Sequence, residues 1–214
     1  MNNSLLRKEI SPMPQVQKEA VRNEIIEKAE FLFAKRGYEE TSINDIAKAA
    51  GISVGNVYRY FKGKEDILNE IITASLIEDI RKKILVKLGM GKSDTIREQS
   101  LNKDYIDYSE QFYKAMIENR LKFIILMNCT KSDISNLFRK EFFDYWVQAF
   151  LDLFVKEEAK KAALRSTIVL LFKGLIGLYL DILTKDANEE AYLRELRQVT
   201  KYHIFGLASI VEND

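Results

Sequence analysis

Between residues 53 and 64 the chain carries Arg59, Lys62 and Lys64 with no acidic residue, and it sets Tyr58 and Tyr60 on either side of Arg59. Cations and phenolic hydroxyls at this density suit phosphate oxygens. An amide such as Asn56 or a guanidinium such as Arg59 can form paired hydrogen bonds to base edges. The chemistry on offer is recognition of a polyanion; the competing reading is a charge run that simply faces water. Catalytic chemistry is poorly supplied. His203 is the only histidine, so zinc, hydrolytic-triad and di-iron constellations lack their ligands and bases. Cys129, the only cysteine, excludes an intramolecular disulfide, fits a reducing cytoplasm, and reads as a buried thiol with no base near it in sequence. The acidic pairs Glu39-Glu40 and Glu157-Glu158 fall at expected helix ends and read as solvated. No metal or cofactor is expected, and the chain reads as a non-enzyme.

The net charge of +1 hides an asymmetry. Residues 1–64 hold eleven Lys and Arg against eight Asp and Glu, a balance of +3, and the remainder is −2. A local basic stripe on a near-neutral protein points to a local polyanion contact.

Such a surface needs a rigid mount. Residues 1–17 are polar, contain both prolines, Pro12 and Pro14, and read as a flexible arm. From Lys18 on, apolar residues recur at Val21, Ile25, Ala29, Leu32 and Phe33, one face of a helix. That helix ends at Lys35-Arg36-Gly37, cations in the last turn followed by a glycine. Ser42-Ile43-Asn44-Asp45 has the form of a capping box, although Asp45 is shorter than the usual Glu. The short helix it opens stops near Ala50-Gly51. Ser53 then caps a second one over 54–61, with Gly51 making the turn because it tolerates a left-handed backbone. Ile46, Ile52 and Val57 point inward, which leaves Ser53, Val54, Asn56, Tyr58, Arg59 and Tyr60 on the outer face. Two short helices crossed in this way lay the second one in a major groove.

A long helix is expected over 64–88, then a break at Gly89-Met90-Gly91. Further helices are expected over roughly 95–118, 121–129, 134–156, 158–183 and 189–211. With no proline after Pro14, the fold class is all-α: an N-terminal three-helix helix-turn-helix domain and a C-terminal helical bundle with a dimerising helix pair. The expected division is an arm (1–17), a DNA-binding domain (18–64), a connecting helix (65–88) and an effector-binding and dimerisation domain (89–214).

The run Thr41-Ser42-Ile43-Asn44-Asp45-Ile46-Ala47-Lys48-Ala49-Ala50-Gly51-Ile52-Ser53-Val54-Gly55-Asn56-Val57-Tyr58-Arg59-Tyr60-Phe61, continued by Lys62-Gly63-Lys64-Glu65-Asp66-Ile67-Leu68, resembles the signature of the TetR family of regulators. Ala34-Lys35-Arg36-Gly37-Tyr38 matches the end of that family's first helix, and the resemblance spans about residues 25–72. It implies that Gly55 lets the backbone approach DNA closely. It implies that Tyr58, Tyr60 and Lys64 contact phosphates or bases, and that Ser42 donates to a phosphate. The free N–H groups at the helix start near Lys64 suit a phosphate as well. Asn56 and Arg59 are the choices for base readout. Tyr58 and Arg59 each keep a plainer alternative, packing for the first and solvent for the second.

The C-terminal region is dense in aromatics. Tyr105, Tyr108, Phe112 and Met116 share one helix face, and Phe142, Trp146 and Phe150 share another. Each reads as core or as the wall of an apolar pocket. Because members of the resembled family bind a small effector between their C-terminal helices, Tyr105, Tyr108, Phe112, Trp146 and Tyr179 are the expected pocket residues. The expected effector is small and apolar or amphipathic.

The last two helices are apolar on more than one side. Leu171, Leu175 and Leu178 on the first, with Val199, Phe205 and Ala208 on the second, are the expected homodimer interface. Gly174 and Gly177 permit close approach there, or else relieve crowding within one subunit. His203 is expected at or near this interface. Two-fold symmetry would match a roughly palindromic double-stranded operator.

The N-terminus shows no apolar core followed by a cleavage site, and residues 168–180, interrupted by Lys173, fall short of the ~18 apolar residues of a membrane span. No membrane partner is expected, and the expected location is cytoplasmic. The functional expectation is a transcriptional repressor released from its operator by an effector. The alternatives are an activator, or a helical interaction protein that has lost DNA binding.

Overall fold

The computed structural model describes residues 15–89 and 95–212. The expected arm, except for its last three residues, and the Met90-Gly91 part of the expected break lie outside this range. The described residues are all-helical, with no strand. Residues 15–17 form the first turn of α1 (Gln15–Arg36) instead of continuing an arm. α2 (Ile43–Ala49), α3 (Val54–Val57) and α4 (Lys64–Ile71) follow, then α5 (Ala74–Gly89), α6 (Ile96–Leu101), α7 (Lys103–Glu118) and α8 (Arg120–Asn128). Three long helices complete the chain: α9 (Asp133–Phe154), α10 (Glu158–Leu183) and α11 (Glu189–Val211).

Two expected helices are broken, each by a polar residue that captures backbone donors. The helix expected over 64–88 divides at Ile72, whose backbone leaves the helical region at φ −104°, ψ 87°. Thr73 then restarts it, its hydroxyl accepting the Leu76 N–H and its carbonyl the Ile77 N–H. The helix expected over 95–118 divides at Asn102, whose side chain accepts from the N–H groups of Asp104 and Tyr105 and so caps α7. The expected 54–61 helix is regular only to Val57; Tyr60 N–H then bonds the Val57 carbonyl in a tighter turn.

The N-terminal core joins Ile25, Ala29 and Phe33 of α1 to Ile46 of α2, Val57 of α3 and Ile67 of α4, all buried. α1 also packs against α8, so the core runs without a gap into the C-terminal bundle, where α10 lies between α9 and α11. α10 is long and apolar enough by composition to cross a membrane, contrary to the count made on its uninterrupted stretch. Ile168, Phe172, Leu175, Ile176 and Tyr179 on one face are nonetheless buried in this core.

Candidate functional site

The turn between α2 and α3 works as its residues require. Gly51 takes φ +66°, where a side chain would be strained, and Ile52 N–H returns to the Ala47 carbonyl at 3.0 Å. The capping box at the start of α2 is complete despite the short Asp45. Its carboxylate accepts the Ser42 N–H at 2.9 Å while Ser42 Oγ accepts the Asp45 N–H at 3.1 Å. Ser42 Oγ also donates to Asp45 Oδ2 at 2.5 Å. The proton expected to reach a phosphate is therefore held by a carboxylate that would repel one.

Lys64 departs from expectation in the same way. Its Nζ donates to the carbonyls of Tyr38, Thr41 and Glu39 at 2.5, 2.8 and 3.2 Å, and it lies 4.3 Å from the centre of the Tyr38 ring. An ammonium has three N–H donors, and all three are used. Desolvation holds its pKa below the usual lysine range. Lys64 is a clasp that closes the α1–α2 loop onto α4.

Around α3 the outer face matches the sequence more closely. Ser53 Oγ accepts the Asn56 N–H at 3.2 Å, which leaves its own proton available outward. Tyr58 is 55% exposed, Arg59 is exposed, and Arg59 Nη1 sits 3.5 Å from Asn56 Oδ1. Val54 and Tyr60 divide their surface between the core and solvent, and Phe61 is buried. Among the described residues, and apart from its chain neighbours and the backbone of its own helix, no atom lies within 4 Å of a Cβ placed on Gly55, so packing against other elements does not require glycine there.

In the C-terminal bundle, α6, α7, α9, α10 and α11 surround a hollow of about 620 Å³, counting the space at its mouth. Of the residues expected to line a pocket, Tyr105, Trp146 and Tyr179 lie in its wall. Tyr108 and Phe112 do not. Tyr108 stands about 60° around α7 from Tyr105 at ~100° per residue, and its hydroxyl donates to the Lys83 carbonyl of α5 at 2.9 Å. Phe112 lines a separate hollow between α5, α7 and α8. One apolar stripe on α7 therefore serves two partners.

Sequence reasoning missed Gln99 and Thr200 in the hollow lined by Trp146 and Tyr179; Phe150, which it read as core or pocket wall, and His203, which it set at or near the dimer interface, also line it, His203 at 5.4 Å from the Phe172 ring. The signal for Thr200 was available: it occupies the core face of α11 in step with Leu196 and Leu207.

The dimer face also needs redrawing. Leu175 and Ala208 turn into the subunit's own core and are almost wholly buried, while Leu171 and Val199 are half-buried at its edge. Leu178 and Phe205 are 44% and 46% exposed, beside Leu170 and Tyr202, which are more exposed still. Among the described residues, and apart from the chain neighbours and the backbone of α10 itself, no atom lies within 4 Å of a Cβ built on Gly174 or Gly177, so packing against other elements of the subunit does not require glycine there.

With this geometry in view, the comparisons are specific. Residues 25–71 match the family model described as bacterial regulatory proteins, tetR family. An HTH-type transcriptional regulator of Staphylococcus aureus is 30% identical over 152 residues, 66% of this chain and 76% of that protein. The chain belongs to the TetR family. Relatives matched over a shorter stretch include the HTH-type transcriptional repressor KstR2 of Rhodococcus jostii, 44% identical over 55 residues, 26% of this chain and 27% of that protein. A TetR-family regulator from Bordetella parapertussis shares the fold, with a TM-score of 0.58 at 22% identity covering 86% of this chain and 94% of that one. The chain is a DNA-binding transcriptional regulator. Regulators of the TetR family bind operator DNA, dimerise and bind small-molecule effectors.

Proposed function

We propose that this chain is a repressor that holds a roughly palindromic operator as a homodimer and releases it when a small molecule enters the hollow between α7, α9, α10 and α11. The observation that carries the reading is the acid-free outer face of α3 and the turn after it. There Ser53, Tyr58 and Arg59 are exposed beside the bare backbone of Gly55. Tyr58, Ser53 and the edge of Tyr60 suit phosphates; Arg59 and Asn56 suit base edges. Lys64 and Ser42 act through the fold, by holding the loop before α2 and the start of α2.

The second subunit is supplied by the face of Leu170, Leu178, Tyr202 and Phe205, where Gly174 and Gly177 admit a close neighbour. Pairing through α10 and α11 sets two α3 segments on one duplex. Residues 15–64 then form the DNA-binding unit and α6 to α11 the effector and dimer unit, with α5 between. The site of action is the cytoplasm, where the operator lies. Operator duplexes selected from a random pool, labelled and titrated with purified dimer, test the reading. A library of small molecules should contain some that release the duplex while the dimer persists. Release only on dissociation of the dimer would contradict it.

A further inference from the structure

The hollow lined by Trp146 and Tyr179 has a chemical polarity of its own. None of its fourteen lining residues is Asp, Glu, Lys or Arg. One end is mostly aromatic and aliphatic: Trp146 stacks on Phe172 at 4.9 Å, Phe150 meets the same ring at 5.5 Å, and Ile204 and Leu207 continue the wall, with the His203 ring 5.4 Å from Phe172. The other end lies about 10 Å away, seven residues along α10 at ~1.5 Å per residue. There the Tyr179 and Thr200 hydroxyls are 2.5 Å apart, with the buried Tyr113 interacting with both and Tyr105 in the same wall. Burial raises the pKa of Tyr105, Tyr113 and Tyr179, so these remain neutral phenols.

The nearby cations are engaged elsewhere. Arg197, beyond Tyr113, forms a two-pronged pair with Glu110 at 2.5 and 2.6 Å. Arg97 pairs with Glu212 at 3.2 Å, and Lys160 donates to the Val211 carbonyl. A charged ligand would surrender its hydration and meet no carboxylate, ammonium or guanidinium in the wall, where the His203 imidazole is the one basic group. A ligand hydroxyl could instead donate to the spare lone pairs of this cluster, and a carbonyl could accept from whichever of its O–H groups turns toward it.

We propose that the ligand of this hollow is an uncharged amphiphile, an apolar body with a single hydroxyl or carbonyl, whose polar end is taken by Tyr179 and Thr200. The inference rests on the effector reading above and narrows it to a ligand class. Trp146 is the only tryptophan in the chain, so its emission reports occupancy without DNA.

The test titrates full-length protein with decan-1-ol, decanoate and decylammonium at neutral pH and follows Trp146. Decan-1-ol should bind at least about tenfold more tightly than either ion. Thr200→Val should weaken decan-1-ol severalfold and leave the ions as they were. Tyr179→Phe, which keeps the ring, should do the same, with thermal unfolding confirming that both variants fold. Either ion binding as tightly as the alcohol overturns the inference, as does an unchanged emission with all three. If decan-1-ol occupies the hollow and the selected operator stays bound, the effector reading fails while the ligand class stands.

Discussion

Glu39 Oε1 accepts hydrogen bonds from the Thr130 N–H at 3.3 Å and the Thr130 hydroxyl at 3.1 Å, joining the loop before α2 to the loop between α8 and α9. The second loop is anchored to α9, because Arg139 donates to the Leu126 and Cys129 carbonyls and Asn136 to the Thr130 carbonyl. α9 in turn supplies Trp146 and Phe150 to the hollow. A change in the wall therefore has a short path of named contacts to the Tyr38–Thr41 loop that Lys64 clasps. Thr130→Val should leave operator affinity within about threefold, a surface hydrogen bond being worth less than ~1 kcal/mol. It should also raise the ligand concentration needed for release. Anisotropy of labelled operator, with and without ligand, measures both; an unchanged release curve would remove this contact from the path.

The same bond carries a pH dependence. Burial works to raise the Glu39 pKa, but hydrogen bonds from its own N–H and from Thr130 and Lys131 outweigh it and hold the carboxyl below the usual range. A depressed carboxyl stabilises the folded state above its unfolded pKa, ~4.3 for glutamate. That contribution is lost as pH falls through the lower folded value. Glu39→Gln should accordingly narrow the stability gap between pH 7 and pH 3.5, followed by urea unfolding; an unchanged gap would contradict the assignment.

Lys64→Met keeps the aliphatic stem and removes three hydrogen bonds to carbonyls. A loss of about 2 kcal/mol is expected for a half-buried charged donor of this kind. The slope of log affinity against log salt should stay as it is, because no phosphate contact is lost. A slope lower by about 1 would return Lys64 to the DNA surface.

Leu178→Glu places a charge on the exposed α10 face beside Leu170 and Tyr202. Analytical ultracentrifugation should find a folded monomer with sharply weaker operator binding. A dimer of undiminished affinity would put the interface elsewhere.

The helix-turn-helix was legible because its signals are local. Gly51 needs one backbone region, the Ser42–Asp45 pair caps one helix, and Ile46 and Val57 are the apolar, inward positions of two short helices. What escaped depends on contacts far apart in the chain. Lys64 finds carbonyls 23 to 26 residues away, and composition alone left it on the surface. Leu175 and Leu178 both look apolar, yet three residues of helix turn one into the core and the other out. Tyr105 and Tyr108 divide for the same reason. The breaks at Thr73 and Asn102 were local and readable, since each is a residue type that caps helices.

The most direct test of the account is duplex selection from a random pool, run in parallel with the wild-type chain and Asn56→Ala. The wild type should enrich a two-fold symmetric motif, and the variant should relax one or two matching positions in each half-site at a cost of about 1–3 kcal/mol. No enriched motif with wild type, or the same motif ranked identically by both, would contradict base reading from α3.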